Sequence, residues 1–381
     1  MVIGIDAQSA NKEKRTGVEW YAYHLIQSMK SRVLSSDDRV ILYTPSFLRE
    51  DLGSLPANWE SKILGWPLKR GWMQARVSVE LLRKTPNIFF VPGQGLPRIM
   101  PRKKEKQQAT VTTIHDLGFL RYPHLYPSAE YRRLKRVTHR SVKKAQRFFV
   151  PSLFTKHEMM DLYGVEEDRM TVTPLGLEHS FYHPFDESMR LVLQNYRLAK
   201  NTYFFSVGRL EKKKNTLLLI YAFEQFKQQR GIGDPFKLVL AGSPGFGFAE
   251  IQKAYEDSSY KKDIHLLGWI PEQDFPALMA GATGFLFPSW YEGFGIPNLE
   301  ALACGTPLLA SDIPVHREVV GDSGQFLSPE DPLPWAKAMA VIVEREDIVS
   351  SYRQKGLKRA KEFSWSKTAD LTWQSFLSLF S

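Results

Sequence analysis

The sequence contains a single cysteine among 381 residues, and this scarcity already excludes several classes of protein. Cys304 alone cannot form a disulfide within the chain or supply a cysteine-based zinc cluster. No apolar run approaches the roughly 18–20 residues that a membrane-spanning helix requires. The first residues, Met1 to Asp6, lack the basic and apolar stretches of a secretory signal and are typical of a β-strand. We therefore expect a cytoplasmic protein.

Charge is unevenly distributed along the chain, whose formal net charge is +10. Residues 1–185 hold 29 Lys and Arg against 18 Asp and Glu, whereas the remainder holds 22 against 23. The densest basic runs are Arg102–Lys106 and a helical stretch from Arg132 to Arg147. Such a helix is either simply solvated or binds an anionic partner, such as a membrane surface or a lipid-phosphate acceptor. No nucleic-acid-binding motif accompanies it, so a nucleic acid partner is not expected.

Strand-like and helical patterns alternate along the chain, which is long enough for about two domains. Short β-branched and aromatic runs predict strands at Val2–Asp6, Arg39–Thr44, Ile88–Val91, Thr110–Ile114, Phe148–Val150, Met170–Thr173, Tyr203–Val207, Lys237–Ala241, Ile264–Leu267, Gly284–Phe287 and Pro307–Ala310. Predicted helices include Gly17–Lys30, Ser128–Lys144, Ser152–Tyr163, Thr216–Gln229, Glu272–Ala280, Asn298–Ala303 and Leu333–Val343. This alternation predicts an α/β protein with two doubly wound, Rossmann-like parallel sheets. We place the domains at 1–185 and 186–364, with a linker near His183–Glu187.

Ligands bind doubly wound sheets beyond the carboxyl ends of their strands, often where two domains meet. Two candidate positions lie in the first half. Gly17 opens a helix, where free backbone N–H groups suit a phosphate, although a tight turn without a ligand explains it equally well. His115 and Asp116 follow a strong β run and suit hydroxyl binding or proton transfer, unless they form a structural pair.

Two further candidates lie in the second half. Arg209 and Lys214 leave its first strand, where fixed cations suit a diphosphate, although loop lysines are usually only solvated. Glu292 and Glu300 flank a glycine-containing loop and a helix that starts near Pro297. One glutamate near a helix N-terminus is explained by the helix dipole, but two around such a turn favour binding of sugar and ribose hydroxyls.

Together these segments resemble the retaining glycosyltransferases of the GT-B architecture, family 4 in the sequence-based classification. The resemblance runs from Gly17 to about Leu327. Its most specific mark is the pair of glutamates separated by seven residues, Glu292 and Glu300, continued by Ala301–Pro307. Val150-Pro151-Ser152, Pro174-Leu175-Gly176-Leu177 and Gly208-Arg209-Leu210 also match the family.

The resemblance implies roles for individual residues. Arg209 and Lys214 correspond to positions that bind the donor diphosphate, and Glu300 to the position that binds the ribose. Glu292 corresponds to the position that contacts the transferred sugar, and His115 lies beside that sugar. The remaining donor-site positions implied by the family are Gly17, Ile270, Gly293, Phe294, Gly295 and Ile296. Two positions depart from the usual pattern, because Asn215 stands where many relatives have glycine and Glu178 where aspartate is common.

The resemblance also implies a mechanism and partners. The two domains are expected to face each other across a cleft, and the last helix, over residues 365–381, to cross back onto the first domain. No Asp-x-Asp motif is present to hold a divalent metal, so we expect neither a metal nor a cofactor. We expect Glu292 and His115 to be the catalytic residues.

The segment His115 to Pro123 resembles mannosyltransferases of bacterial polysaccharide assembly. GDP-mannose is the first expectation for the donor, with a UDP-sugar as the alternative, and a glycan or lipid-diphosphate glycan as acceptor. A phosphorylase, an epimerase and a catalytically silent sugar-nucleotide-binding scaffold are the competing interpretations.

Overall fold

The computed structural model describes residues 1–32, 37–68, 71–99, 108–231 and 233–380. The basic run Arg102–Lys106 lies outside these residues. The chain forms two compact units. The first comprises residue 1 to Arg121, Ser128 to Gly176, and Trp365 onward, and the second comprises Tyr122–Pro127 and Leu177–Ser364.

The first unit is built on a parallel sheet of seven described strands in the order β3-β2-β1-β4-β5-β6-β7. These strands are β1 (Val2–Asp6), β2 (Arg39–Thr44), β3 (Trp59–Ile63), β4 (Ile88–Val91), β5 (Ala109–Thr113), β6 (Arg147–Val150) and β7 (Met170–Val172). Its helices are α1 (Gly17–Lys30), α2 (Ser78–Arg83), α3 (Gly118–Arg121), α4 (Ser128–Lys144) and α5 (Leu153–Tyr163). The central strands are buried along their whole length, as expected for a sheet covered on both faces.

The second unit repeats this plan with six described parallel strands in the order β10-β9-β8-β11-β12-β13. They are β8 (Tyr203–Val207), β9 (Lys237–Ala241), β10 (Ile264–Gly268), β11 (Gly284–Phe287), β12 (Leu308–Ser311) and β13 (Gln325–Leu327). The helices are α6 (Arg190–Asn195), α7 (Thr216–Arg230), α8 (Phe248–Asp257), α9 (Phe275–Ala280), α10 (Ile296–Ala303), α11 (Pro314–Val320), α12 (Pro332–Glu344) and α13 (Glu346–Ala360). The predicted α/β class with two doubly wound parallel sheets is therefore confirmed.

The last helix, α14 (Trp365–Leu377), returns to the first unit, as the sequence predicted. Its residues Trp365, Ala369 and Phe376 are buried in the same apolar core as strand β1 and helix α1. Thr368 Oγ1 donates a hydrogen bond of 2.6 Å to the Pro174 carbonyl, and Arg32 lies 3.1 Å from Asp370. These contacts fix the end of the chain on the first sheet.

The compact units change at Gly176, earlier than the domain boundary placed at residue 185. The contacts of the intervening residues explain the difference. His179 shares a hydrogen bond of 2.9 Å with the Phe363 carbonyl, and Tyr182 contacts Glu300, so both belong with the second sheet. Contacts of this kind join residues far apart in sequence, and residue composition does not reveal them.

Candidate donor site

The strongest candidate site lies at the carboxyl ends of β8 and β11, which are neighbours in the second sheet. A small pocket between them is lined by Gly208, Arg209, Lys214, Thr216, Phe287 and Pro288. Because parallel strands end at the same edge, the sequence segments that follow them meet there. The Trp290 N–H donates to the Lys213 carbonyl at 3.0 Å and joins the two segments directly. The structure thus brings Arg209, Lys214 and the Glu292 loop together.

Lys214 and Glu292 form a close ion pair within this edge. Lys214 Nζ lies 2.5 Å from Glu292 Oε1, and the Glu292 side chain is largely buried. Burial alone raises the pKa of a carboxyl group, but the Lys214 ammonium and, to a smaller extent, Lys213 hold the pKa of Glu292 below its ordinary value. Glu292 is therefore ionised at neutral pH, with its charge balanced by a cation that the sequence assigns to phosphate binding.

The backbone conformation of Asn215 explains how asparagine can stand here, where many relatives have glycine. Its backbone has a φ of 54°, in the left-handed region, and it precedes helix α7. Asparagine tolerates this conformation better than other residues with a side chain. Its Nδ2 also donates to the Pro329 carbonyl at 2.8 Å. The substitution keeps the turn that places Lys214 beside Glu292.

The glycine loop after β11 turns directly into helix α10. Gly295 has a φ of 85° at the helix N-terminus, and Pro297 lies in the first turn, as the sequence predicted. Gly293, Phe294 and Gly295 are buried, whereas Ile296 is partly exposed. Phe294 packs edge-on against Phe363 with ring centroids 5.9 Å apart. The backbone of the loop is therefore held by its side chains and by the helix that it starts.

Glu300 lies on helix α10 and contacts the Tyr182 hydroxyl. Burial, with a smaller contribution from the nearby Glu272 carboxylate, raises the pKa of Glu300 to about 7, although the Tyr182 hydrogen bond opposes this rise. Glu300 is thus poised between its protonated and ionised forms near neutral pH. Tyr182 was not among the residues singled out from the sequence.

The other predicted donor-site residues of the second unit differ in exposure. Arg209 is exposed, and its Nε lies 3.7 Å from a Glu211 carboxylate oxygen, so its guanidinium remains available to solvent and to ligands. Ile270 follows β10 and is almost completely buried. Its neighbour Trp269 is 60% exposed. The contact between the Ile270 backbone and a base, which the resemblance implies, stays a prediction.

His115 and Gly17 belong to the first unit. His115 follows β5, and its Nε2 lies 2.9 Å from the Pro92 carbonyl, to which it donates. Burial lowers the pKa of His115, so the ring is neutral and Nδ1 is its acceptor. Tyr21 of helix α1 packs edge-on against this ring with centroids 4.7 Å apart. Asp116 instead accepts the Gly118 N–H at 3.1 Å, so its carboxylate starts helix α3.

Gly17 is the first residue of helix α1, after Thr16. Glu19 accepts the Thr16 backbone N–H at 3.1 Å, which closes a capping interaction around the helix start. Gly17 has no positive φ, and an added Cβ meets no described atom within 4 Å. Neither a turn nor packing among the described residues requires glycine here, so the approach of a ligand phosphate to Gly17 stays a prediction.

Comparison with known proteins identifies the families that the chain matches. Residues 15–181 match a family described as Glycosyltransferase Family 4, and residues 194–361 match Glycosyl transferases group 1. O-antigen chain mannosyltransferase B of Escherichia coli is 30% identical over 293 residues, which cover 76% of this chain and 74% of that protein. The chain belongs to glycosyltransferase family 4.

Two other similarities extend this result. O-antigen chain mannosyltransferase RfbU of Salmonella typhimurium is 26% identical over 63% of this chain and 62% of that protein. The structure of Anabaena Alr3699/HepE in complex with UDP and glucose matches with a TM-score of 0.74 at 16% identity, over 99% of both chains. The expected GT-B fold and hexosyltransferase class are therefore confirmed.

Two features of the glycosyltransferase went unnoticed in the sequence. The first is a second glycine loop, after β9, where Gly242 has a φ of 142° and an added Cβ would lie 1.8 Å from the Gly208 carbonyl oxygen. This loop accepts the Leu210 N–H at Ser243 and so shapes the Arg209 segment. The second is Asp6, at the carboxyl end of β1, where burial raises its pKa to about 6. The available signals were a glycine directly after the predicted strand Lys237–Ala241 and an acid as the last residue of the predicted strand Val2–Asp6.

No helix in the described part of the glycosyltransferase is both long and apolar enough to cross a membrane. The residues with described positions also contain no cluster of three or more His, Cys, Asp or Glu side chains suited to a metal ion.

Proposed function

We propose that this glycosyltransferase moves mannose from GDP-mannose to a glycan or lipid-linked glycan acceptor during cell-surface polysaccharide synthesis, with retention of anomeric configuration. The observation that carries the proposal is the Lys214–Glu292 pair beside the pocket at the ends of β8 and β11. It combines a cation for a diphosphate with a carboxylate for a sugar. The similarity to O-antigen mannosyltransferases supports mannose as the sugar.

In this proposal the second unit binds the donor through three kinds of group. Arg209 and Lys214 bind the diphosphate, and Glu300 accepts hydrogen bonds from the ribose. The Gly293–Gly295 loop offers backbone N–H groups at the start of helix α10, where a partial positive charge favours an anion. The backbone of Ile270 contacts the base. Because Arg209, Lys214 and the N-terminus of helix α10 already supply positive charge to the leaving phosphate, transfer proceeds without a metal.

The proposed reaction is a front-face displacement. The bond between the anomeric carbon and the phosphate oxygen breaks as the acceptor hydroxyl oxygen bonds to the same face of that carbon. The departing phosphate oxygen takes the hydroxyl proton, so that no covalent enzyme intermediate forms. Glu292 positions the sugar and stabilises the positive charge that develops near its ring, and His115 contacts the sugar as a neutral ring.

The basic face of helix α4 is proposed to bind the acceptor side of the reaction. Its exposed residues include Arg132, Arg133, Lys135, Arg136 and Lys143, and its only acidic residue is Glu130, 3.8 Å from Arg133. This surface suits a lipid diphosphate or the anionic face of the plasma membrane, with the protein attached peripherally on the cytoplasmic side. The test is co-sedimentation of the protein with anionic vesicles. Binding that is lost at high salt, and lost in Arg132→Ser/Arg136→Ser, supports the membrane contact. Equal vesicle binding by this variant and the wild type contradicts it.

A direct assay tests the donor and the chemistry. The protein is incubated with GDP-mannose, UDP-glucose or UDP-N-acetylglucosamine in EDTA, with lipid-linked oligosaccharide extract as acceptor. The proposal expects transfer from GDP-mannose with an α-linked product, by NMR, because the donor itself is α-linked. Transfer only from a UDP-sugar supports the alternative donor, for which the fold shared with Alr3699/HepE, solved with UDP and glucose, is the motivating observation. Strict dependence on magnesium contradicts the metal-free mechanism.

A further inference from the structure

His316 is a buried histidine that the proposed mechanism does not use. It lies on helix α11, is completely buried, and packs on Phe287 of strand β11 with ring centroids 5.4 Å apart. Phe287 also lines the pocket between β8 and β11. The ring is therefore placed directly behind the loop that carries Glu292.

The hydrogen bonds of His316 define which ring nitrogen carries the proton. Nδ1 lies 2.9 Å from the Ser311 carbonyl oxygen, an atom that only accepts, so Nδ1–H is the donor. Burial lowers the pKa of His316 to about 4, even though the Glu292 carboxylate opposes this shift. The ring is neutral at physiological pH, and Nε2 is left as an acceptor.

His316 Nε2 faces a second buried polar group across Gly295. An added Cβ on Gly295 would lie 3.4 Å from His316 Nε2 and 3.1 Å from Asn298 Nδ2, so both atoms flank this glycine. Both side chains are completely buried. Neither Nε2 nor the Asn298 carboxamide has a hydrogen-bond partner among the described residues. Buried polar atoms are normally paired, and unpaired ones that converge on one turn call for a common explanation.

The same histidine is joined to the start of the Glu292 loop. Ser311, which accepts the His316 Nδ1–H through its carbonyl, donates its own hydroxyl to the Ser289 carbonyl at 2.6 Å. Ser289 and Gly295 bracket Glu292 in the sequence. The imidazole therefore flanks Gly295 directly and is linked to Ser289 through Ser311.

We propose that His316 is a positioning residue for sugar transfer. When the Gly293–Gly295 turn closes on the donor sugar, Nε2 accepts a hydrogen bond from the Asn298 amide. This bond holds the backbone N–H groups of the turn, and Glu292, in the reactive geometry. The inference rests on the proposed function, because it assigns a role within the same site. An apolar side chain of similar size fills the space but cannot supply this acceptor.

The test compares two substitutions that separate the ring nitrogens. His316→Asn keeps a donor near the Nδ1 position for Ser311 and removes the acceptor at the Nε2 position. His316→Gln reaches the Nε2 position with a carbonyl oxygen. His316→Asn is expected to lower kcat by about tenfold or more, because small errors in position are costly for transfer. The KM for the donor and the Kd for GDP should change less than about twofold, since Arg209 and Glu300 are untouched. His316→Gln should recover most of kcat.

A double-variant cycle tests the partner. If Nε2 and the Asn298 amide act through one bond, His316→Asn/Asn298→Ala should lose no more kcat than the more damaged single variant. Additive losses overturn the proposed bond. Equal kcat in His316→Asn and His316→Gln, or a parallel fall in GDP affinity, overturns the positioning role and leaves a structural one.

A spectroscopic measurement on the unaltered protein covers the case in which His316→Asn does not fold. With ¹⁵N-histidine and an assignment from His316→Gln, the Nε2 resonance should move toward the hydrogen-bonded range when the donor binds. An unchanged resonance in the presence of bound donor overturns the inference. A wild-type protein that transfers no sugar from any donor refutes the proposed function itself, and the inference falls with it. Normal wild-type transfer with an unaffected His316→Asn refutes the inference alone.

Discussion

The two sheets end in edges of different character. The carboxyl edge of the second sheet holds a close Lys214–Glu292 pair and two left-handed turns, at Asn215 and Gly295. That of the first sheet presents an open Gly17 and a neutral His115 bonded to backbone. The first half of the chain also carries the whole excess of positive charge. We propose that the second edge binds the concentrated charge of a nucleoside diphosphate, whereas the first offers backbone, a neutral ring and the buried Asp6.

The largest effect is expected at the charged edge. Glu292→Gln keeps an oxygen for Lys214 but removes the negative charge, so kcat should fall by about 10²–10³-fold while GDP still binds. Steady-state kinetics and a GDP thermal shift measure the two quantities. Glu250→Gln, which alters an exposed carboxylate paired with Lys212, is the matched control and should be nearly neutral. A near-normal kcat/KM in Glu292→Gln would contradict the catalytic role proposed for Glu292.

A smaller loss is expected at the neutral ring of the first edge. His115→Ala removes both the bond to the Pro92 carbonyl and the contact with the sugar, so kcat should fall by about 10–100-fold. The Kd for GDP, which lacks the sugar, should stay within about twofold, measured by calorimetry. His157→Ala, at an exposed histidine on helix α5, serves as the control. An equal loss of GDP and GDP-mannose affinity would show that His115 acts on the nucleotide instead.

The pH dependence of donor binding distinguishes Glu300 from Glu292, whose pKa the Lys214 ammonium holds below its ordinary value. Ribose hydroxyls need the Glu300 carboxylate, whose pKa is raised to about 7 by burial, so donor affinity should increase as pH rises through 7. Between pH 6 and 8 the Kd should fall by about tenfold. Without donor the sign is opposite, since a raised carboxyl pKa lowers the free energy of unfolding as pH rises from 4.5 through about 7.

Two variants check this assignment by calorimetry across the same pH range. Glu300→Gln should bind the donor weakly and without this pH dependence. Tyr182→Phe removes the hydroxyl that donates to the carboxylate, so the midpoint should move to higher pH. A wild-type Kd that stays flat between pH 6 and 8 would contradict the role of Glu300.

The smallest effect is expected at the open glycine. Gly17→Ala adds a methyl group that meets no described atom within 4 Å, so thermal stability should be unchanged or slightly higher. If a ligand approaches this position closely, the donor KM should nevertheless rise several-fold. Gly164→Ala, at a left-handed helix end with equal space, is the contrasting control and should lower stability without raising KM. An unchanged donor KM in Gly17→Ala would indicate that Gly17 only starts helix α1 and that no ligand approaches it closely.

The sequence predicted most of the buried strands and most of the longer helices because their apolar periodicity is local. Helix α1 begins at Gly17 and ends at Lys30 as predicted, and Ser152 caps α5 by accepting the Thr155 N–H. The short edge strands β3 and β13 were missed, and in β3 the exposed Glu60 and Ser61 dilute the strand signal. Helices α2, α3, α6, α8, α11 and α13 were also missed.

In the candidate site, too, features within one sequence segment could be predicted, whereas contacts between separate segments could not. The Glu292–Glu300 segment was readable because a strand, a glycine turn and a helix follow each other in sequence. The Lys214–Glu292 pair, the Tyr182–Glu300 contact and the meeting of His316 with Asn298 join separate segments. Only the sheet order brings these side chains together, and one sequence does not encode that order in any local pattern.

The most direct test of the central claim is calorimetric titration of GDP-mannose, in EDTA, into the wild-type protein and into Arg209→Ala/Lys214→Met. We predict metal-free binding by the wild type and an affinity lower by at least about 100-fold in the double variant, because both proposed diphosphate cations are removed. Equal affinity in the two proteins would contradict the assignment of the donor diphosphate to the second edge.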